Sequence, residues 1–279
     1  MVGVSLLKPL LIGNKFMPKA KSKKVDAKQV MALVETMGNQ LAIDLVYDVT
    51  KIVGGDNPLK SLIQAGNLKL PKTTAIFNMS SATECASLKL GLCKAVIELK
   101  KAMAKSGKLE RKNVCYAVKS ERPYRPGVKP YRDRQGEYWL SVSAEDFVFQ
   151  FMRINGTKKV KYDKIRLNEA GDFHSQECVD KAERIAKLLK QFVGVTVYCY
   201  TSRDDLDFSK VKHLVVNRSL NLLEEYKPVK GLKNEFLMIP KEMGKDPKQW
   251  PKGYAKCPAD CNICDRCSIP GKKSFIIQH

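Results

Sequence analysis

Four cysteines near the C-terminus, Cys257, Cys261, Cys264 and Cys267, fall in CPADCNICDRC with the spacing C-x3-C-x2-C-x2-C. Sulfurs two and three residues apart on a tight loop turn inward around one centre, and four thiolates satisfy either a tetrahedral zinc or a four-iron cluster. Zinc sites usually split into two C-x2-C knuckles with a longer stretch between them. One short run carrying all four ligands is closer to the ferredoxin type, so an iron–sulfur cluster is the preferred reading and zinc the alternative. A second set, Cys85, Cys93 and Cys115, has the looser spacing C-x7-C-x21-C. Three thiolates leave one iron of a four-iron cluster open to a small molecule, while three unrelated, partly buried cysteines are the competing reading. Cys178 and Cys199 lie inside a helical and a strand pattern and read as core residues.

The remaining chemistry-bearing residues sit where short apolar strands give way to polar turns. Thr73–Asn78, Ile165–Asn168, Val195–Tyr200 and Leu214–Asn217 read as strands, ending at Asn78, at Asn168-Glu169 with Gly171-Asp172, at Tyr200-Thr201 and at Asn217. In a barrel or open parallel sheet the C-terminal strand ends surround a shared crevice, so Asn78, Asn168, Glu169, Gly171, Asp172 and Asn217 are candidate cofactor contacts. Asn, Asp and Gly are also common turn formers after any strand, which is the plainer reading of each one singly. The three histidines, His174, His213 and His279, are too few and scattered for a hydrolase triad. No Walker-type loop, G-x-G-x-x-G or H-E-x-x-H is present.

The elements that position these residues alternate. Helical patterns over Ala86–Ser106, Ser143–Ile154 and Ser175–Phe192 separate the strands, the last with Val179, Ala182, Ile185, Ala186, Leu188 and Leu189 on one side. Alternating β and α elements predict a parallel sheet with helical crossovers, an α/β fold. Ahead of it, residues 1–24 read as a basic arm and Val25–Val53 as a helix ended by Gly54-Gly55. The expected division is an N-terminal arm and helix over 1–60, an α/β core over 61–240 and a Cys-rich metal-binding element over 241–279.

Charge and composition bound the function. The 279 residues carry 50 Lys and Arg against 29 Asp and Glu, a net +21 that makes polyanions such as nucleic acid plausible partners. In CYAVKSERPYRPGVKPYRDRQGEYW, aromatic residues interleave with basic ones, which suits base stacking beside phosphate contacts; a solvated loop with Pro-fixed turns is the equal alternative. No stretch reaches the ~20 apolar residues of a membrane span, and the first residues lack a signal-peptide pattern. Nine cysteines, four of them within eleven residues, then point to metal in a reducing cytoplasm and not to disulfides.

Taken in order, LKLPKTTAIFN, Cys85, Cys93, the NVCYA around Cys115, KIRLNEAGDFHSQECVDK, VTVYCYTSRDDLDFSK and CPADCNICDRC resemble the phage-encoded gene product 88 family, from about Leu68 to His279. That family is similar in layout to radical S-adenosylmethionine enzymes. The resemblance implies a partial (β/α) barrel with one or two 4Fe-4S clusters and a cytosolic phage protein. It also implies that Cys85, Cys93 and Cys115 hold a cluster and that Gly171 and Asp172 lie near bound S-adenosylmethionine. The compact C-x3-C-x2-C of the radical enzymes is absent, and a Lys-rich insertion at Lys94–Lys112 lengthens the Cys93–Cys115 interval. The expectation is an iron–sulfur protein of radical or redox type with an unspecified substrate, against a non-catalytic nucleic-acid-binding protein with a structural zinc or iron–sulfur site.

Overall fold

The computed structural model describes residues 56–93, 115–121, 125–221 and 229–277, together with positions 28, 29 and 32. The basic arm, nearly all of the expected helix over Val25–Val53, the Lys94–Lys112 insertion and His279 lie outside the described residues.

The described chain builds a mixed α/β fold on one open, eight-stranded sheet in the order β1-β2-β3-β4-β5-β6-β8-β7. A 3-10 turn at Pro58–Ser61 precedes β1 (Gln64–Ala65), which pairs antiparallel with β2 (Thr74–Ile76). Two short helices follow, α1 (Ala86–Lys89) and α2 (Tyr116–Ser120), then two long ones, α3 (Val128–Ser141) and α4 (Ala144–Thr157). Next come β3 (Lys164–Arg166), α5 (Gln176–Val193), β4 (Thr196–Thr201), β5 (Val215–Asn221), β6 (Asn234–Ile239), the single-turn α6 (Lys241–Gly244), β7 (Ala255–Lys256) and β8 (Lys273–Ile277). From β2 onward every pairing is parallel, so the predicted parallel sheet is present and the strands progress across it in chain order, save that β7 stands outside β8.

Alternation along the strands assigns the two faces. Ala75, Ile165, Val197, Cys199 and Val216 turn to the face covered by α3, α4 and α5, where the main core forms. There Phe77 meets Phe147 edge-on at 5.3 Å, with Tyr138 and Trp139 at 6.1 and 6.2 Å. α5 is legible in both senses: its apolar residues at helical spacing are the buried ones, and Gly194, at φ 69°, closes it in the left-handed conformation. α4 starts where Ser143 Oγ accepts the Asp146 N–H at 3.0 Å. Toward the other edge, Leu237, Ile239 and Phe275 form a smaller core under Met243, Trp250 and Tyr254.

Three expectations shift. α3 occupies the stretch read as a basic–aromatic segment with a loop as its alternative. Pro130 is tolerated because it lies in the first turn, and the buried positions Arg132, Gln135, Gly136 and Trp139 carry almost no apolar periodicity. Gly136 permits the close approach that replaces it, since a Cβ there would stand 3.1 Å from Met79 O and Ser80 Cα. The fourth strand does not end at Asn217 but runs on to Asn221, which puts Asn217 inside the sheet. The C-terminal segment contributes β7 and β8 to the same sheet.

Candidate functional site

The three dispersed cysteines lie on the same side of the molecule beyond β2, near enough for Cys85 to feel the charge of the other two. Cys85 is the N-cap of α1 and Cys115 the N-cap of α2. Burial pushes the Cys85 thiol up to about 12, with Asp172 and then Cys115 and Cys93 adding to the rise through their negative charge. Each cysteine is fixed by a neighbour. Ser87 donates its hydroxyl to Asp172 Oδ2 at 2.6 Å, which anchors α1, and its carbonyl accepts the Cys93 N–H at 3.1 Å. Glu121, at the end of α2, accepts the Ala82 N–H at 2.9 Å and pairs with Arg132 Nη1 at 2.8 Å. Both side chains of that pair are buried, so each depends on the other to offset its desolvation. Ala82, Ala117 and Ala170 pack together against Cys115.

Asp172 is the hub of this neighbourhood. It is buried and accepts four hydrogen bonds: from Phe173 N at 2.8 Å, Thr201 Oγ1 at 2.7 Å, Ser87 Oγ at 2.6 Å and Ser202 N at 2.8 Å. Burial raises its pKa above the ordinary carboxylate range, and the four donors oppose that rise. Gly171 precedes it at φ 80°, and a Cβ there would stand 2.5 Å from Ser80 N, so only glycine lets the two strand-end loops touch.

The four C-terminal cysteines gather on the opposite sheet face, over β3 and β4, where Cys261 and Cys267 lie near Arg166, Tyr198 and Tyr200. Cys257 N–H bonds Phe275 O at 2.7 Å, Cys261 N–H bonds Lys69 O at 2.8 Å, and Asn217 Nδ2 donates to Cys267 O at 2.8 Å. Ala259, at φ 60°, points its N–H at Cys257 Sγ from 3.4 Å. Burial pushes Cys267 up to about 11; a hydrogen bond with Tyr200 pulls it down, Cys257 and Cys261 push it up, and Arg166 pulls it down. Cys261 is raised by burial, eased by Arg166 and raised by Cys257 and Cys264. The Arg166 guanidinium lies 4.9 Å from the Tyr200 ring centre and supplies the local positive charge beside these sulfurs. Within each set the sulfurs are neighbours, yet among the described residues no three or more His, Cys, Asp or Glu stand in a metal-holding arrangement.

The strand-end asparagines are engaged in the fold. Asn78 Oδ1 accepts the N–H groups of Glu169 and Ala170, both at 2.8 Å, and its amide donates to Gln135 at 2.9 Å. Asn168 bonds both backbone groups of Tyr200. Asn217 and Asn234 form a ladder at 3.2 Å, from which Asn234 reaches Ile269 O at 2.8 Å and Asn217 reaches Cys267 O. They staple the Cys-rich loop to β5 and β6. Sequence reasoning does not single out Glu121, Arg166 or Ser87, and it meets Tyr200 only as a strand end and Arg132 only as a basic residue of the basic–aromatic segment; polar residues inside helical or strand patterns are the one signal that points to their structural roles. His213 pairs with Glu183 at 2.7 Å, and Cys178 and Cys199 are buried core residues as expected.

A family model described as Gene product 88 matches residues 50–223. The matched span holds Cys85, Cys93, Cys115 and Asp172, whereas Cys257, Cys261, Cys264 and Cys267 lie beyond it. No curated protein and no solved structure matches the chain. Among the described residues, no helix is long and apolar enough to cross a membrane.

Proposed function

We propose that this chain, which belongs to the Gene product 88 family, is an iron–sulfur redox enzyme of the radical S-adenosylmethionine kind. The observation that supports the reading is that Cys85, Cys93 and Cys115, dispersed in sequence, all follow the first strand of the parallel array, close enough for Cys85 to feel the charge of the other two and of the buried Asp172, although among the described residues they do not stand in a metal-holding arrangement. Parallel strands in chain order from β2 to β6, with α5 crossing between β3 and β4, support the reading; the sheet is open, and residues 202–214 join β4 to β5 without a helix. Two all-sulfur donor sets suit a soft metal, and the Ala259 N–H aimed at Cys257 Sγ is a bond that stabilises a thiolate. A bound iron–sulfur cluster supplies one-electron chemistry. The chain's own residues position: Asp172 and Ser87 hold α1, Glu121 and Arg132 hold α2, and Arg166 offsets negative charge at the C-terminal set.

The test is anaerobic purification with iron and sulfide analysis of wild type and Cys115→Ser. Wild type should be brown, and the variant should lose about half its iron while keeping the C-terminal share. A protein that takes up only zinc, or a Cys115→Ser variant with undiminished iron, removes the proposal. A second reading, non-catalytic nucleic-acid binding at a structural zinc or iron–sulfur site, draws support from the +21 charge. The basic–aromatic segment lends it little, because Trp139 and Arg132 are buried in or behind α3.

A further inference from the structure

Lysines collect at the N-terminal ends of β2, β3 and β4, the end of these strands away from Asp172. Thr74, Lys164 and Thr196 stand in register across the three strands. The Asp163 N–H bonds Thr73 O and the Thr196 N–H bonds Asp163 O, both at 3.0 Å. Neighbouring strands lie ~4.8 Å apart, so Lys72, Lys164 and the start of β4 are set side by side. Lys190 reaches Thr196 Oγ1 at 3.4 Å, and Lys187 stands one turn before it on α5. The loop from α4 to β3 adds three more. Asn155 grips both backbone groups of Tyr162, Lys158 lies 4.5 Å from the Tyr162 ring centre, Lys161 bonds Asn155 O at 2.8 Å, and Lys159 is exposed.

Little on the page balances this charge. Across residues 72–76, 150–164 and 184–196, the stretches that meet here, Asp163 is the one acidic residue against seven lysines. α4 and α5 also end here, but a helix C-terminus carries only about half a negative charge. Five of the seven lysines are exposed, so a partner can reach them. Like charges held this close repel one another, and a polyanion laid across them relieves the repulsion.

The surroundings select the polyanion. Every aromatic ring in the three stretches is buried, Phe151, Tyr162 and Phe192, which removes the stacking platforms that grip single strands. Val160 is the one large hydrophobic exposed among these lysines, too little apolar area for a membrane surface, where binding scales with the area inserted. A duplex backbone needs neither, and it presents one negative charge per ~1.7 Å of its axis.

We infer that the N-terminal end of β2–β4 is a docking face for double-stranded nucleic acid, held through phosphates without base readout. The inference rests on the nucleic-acid reading and gives it a place in the fold; it requires no metal, so it and the iron–sulfur proposal stand or fall separately.

Fluorescence anisotropy of the full chain tests it, with a labelled mixed-sequence DNA duplex, the matching single strand, and phosphatidylserine-containing vesicles as competitor. Lys72→Gln/Lys159→Gln/Lys190→Gln should bind the duplex at least about tenfold more weakly, with a slope of log affinity against log salt flatter by about 3. Lys210→Gln/Lys241→Gln/Lys248→Gln removes the same charge from exposed positions after β4 and β6 and should stay within about threefold of wild type. Both variants should keep the wild-type melting temperature, since the replaced side chains are exposed. Equal losses in the two variants would overturn this face while leaving the nucleic-acid reading in place, and absence of duplex binding by wild type would overturn both. Tighter binding of the single strand, or vesicles that displace the duplex, would show the partner to be of another class and overturn the inference.

Discussion

Replacing Asp172 with Asn tests whether the hub of the strand-end network works as an acceptor alone. Two of its four donors, Thr201 Oγ1 and Ser87 Oγ, are hydroxyls that can rotate and accept, but the other two, Phe173 N–H and Ser202 N–H, only donate. Those two backbone groups bond different oxygens of the carboxylate, Oδ1 and Oδ2. An amide has one oxygen, so in either orientation its NH2 faces one buried N–H. Leaving that donor unsatisfied costs about 1–3 kcal/mol, and losing charge assistance on the surviving bonds brings the total to about 2–4 kcal/mol. For a domain of this size that is a fall in melting temperature of roughly 5–15 °C. Urea and thermal unfolding followed by circular dichroism give the two numbers. Faster hydrogen exchange at Phe173 or Ser202 would identify the orphaned group. A variant as stable as wild type would mean that Asp172 is already protonated in the fold, and the acceptor-only reasoning would fail.

Asn217→Ala removes the donor to Cys199 O and Cys267 O and should cost about 1–3 kcal/mol while exposing Cys267 to faster alkylation, read by mass spectrometry; an unchanged labelling rate would show that Asn217 does not staple the Cys-rich loop. Asp207 is held down to about 2 by bonds from Ser209 and by Lys230. Its folded pKa lies below its unfolded value, so the stability it contributes is present above about pH 4 and is lost as pH falls toward about 2. Asp207→Asn should make the acid-side decline over that window shallower, whereas an NMR titration midpoint near 4 in the wild type would contradict the assignment.

Features that a residue's own turn or pleat encodes are legible in the sequence alone. α5 and β4 can be read there because one face of a helix or one side of a strand must be apolar to be buried, and that period lies within a few consecutive residues. The Cys257–Cys267 run is equally visible, since its spacing is local. α3 is not, because it packs through Gly136 and a buried Arg132–Glu121 pair, so close approach and ion pairing stand in for the apolar stripe. Asn217 reads as a strand end because the polar residues after it are held in the strand by pairing, Arg218 with β4 and the run to Asn221 with β6. Tertiary structure alone brings Cys85, Cys93 and Cys115 to the same end of the sheet and sets Arg132 and Glu169 along one cavity. Local periodicity specifies which elements form; which of their ends become neighbours is set by the parallel register of a sheet whose partners lie tens of residues apart in sequence.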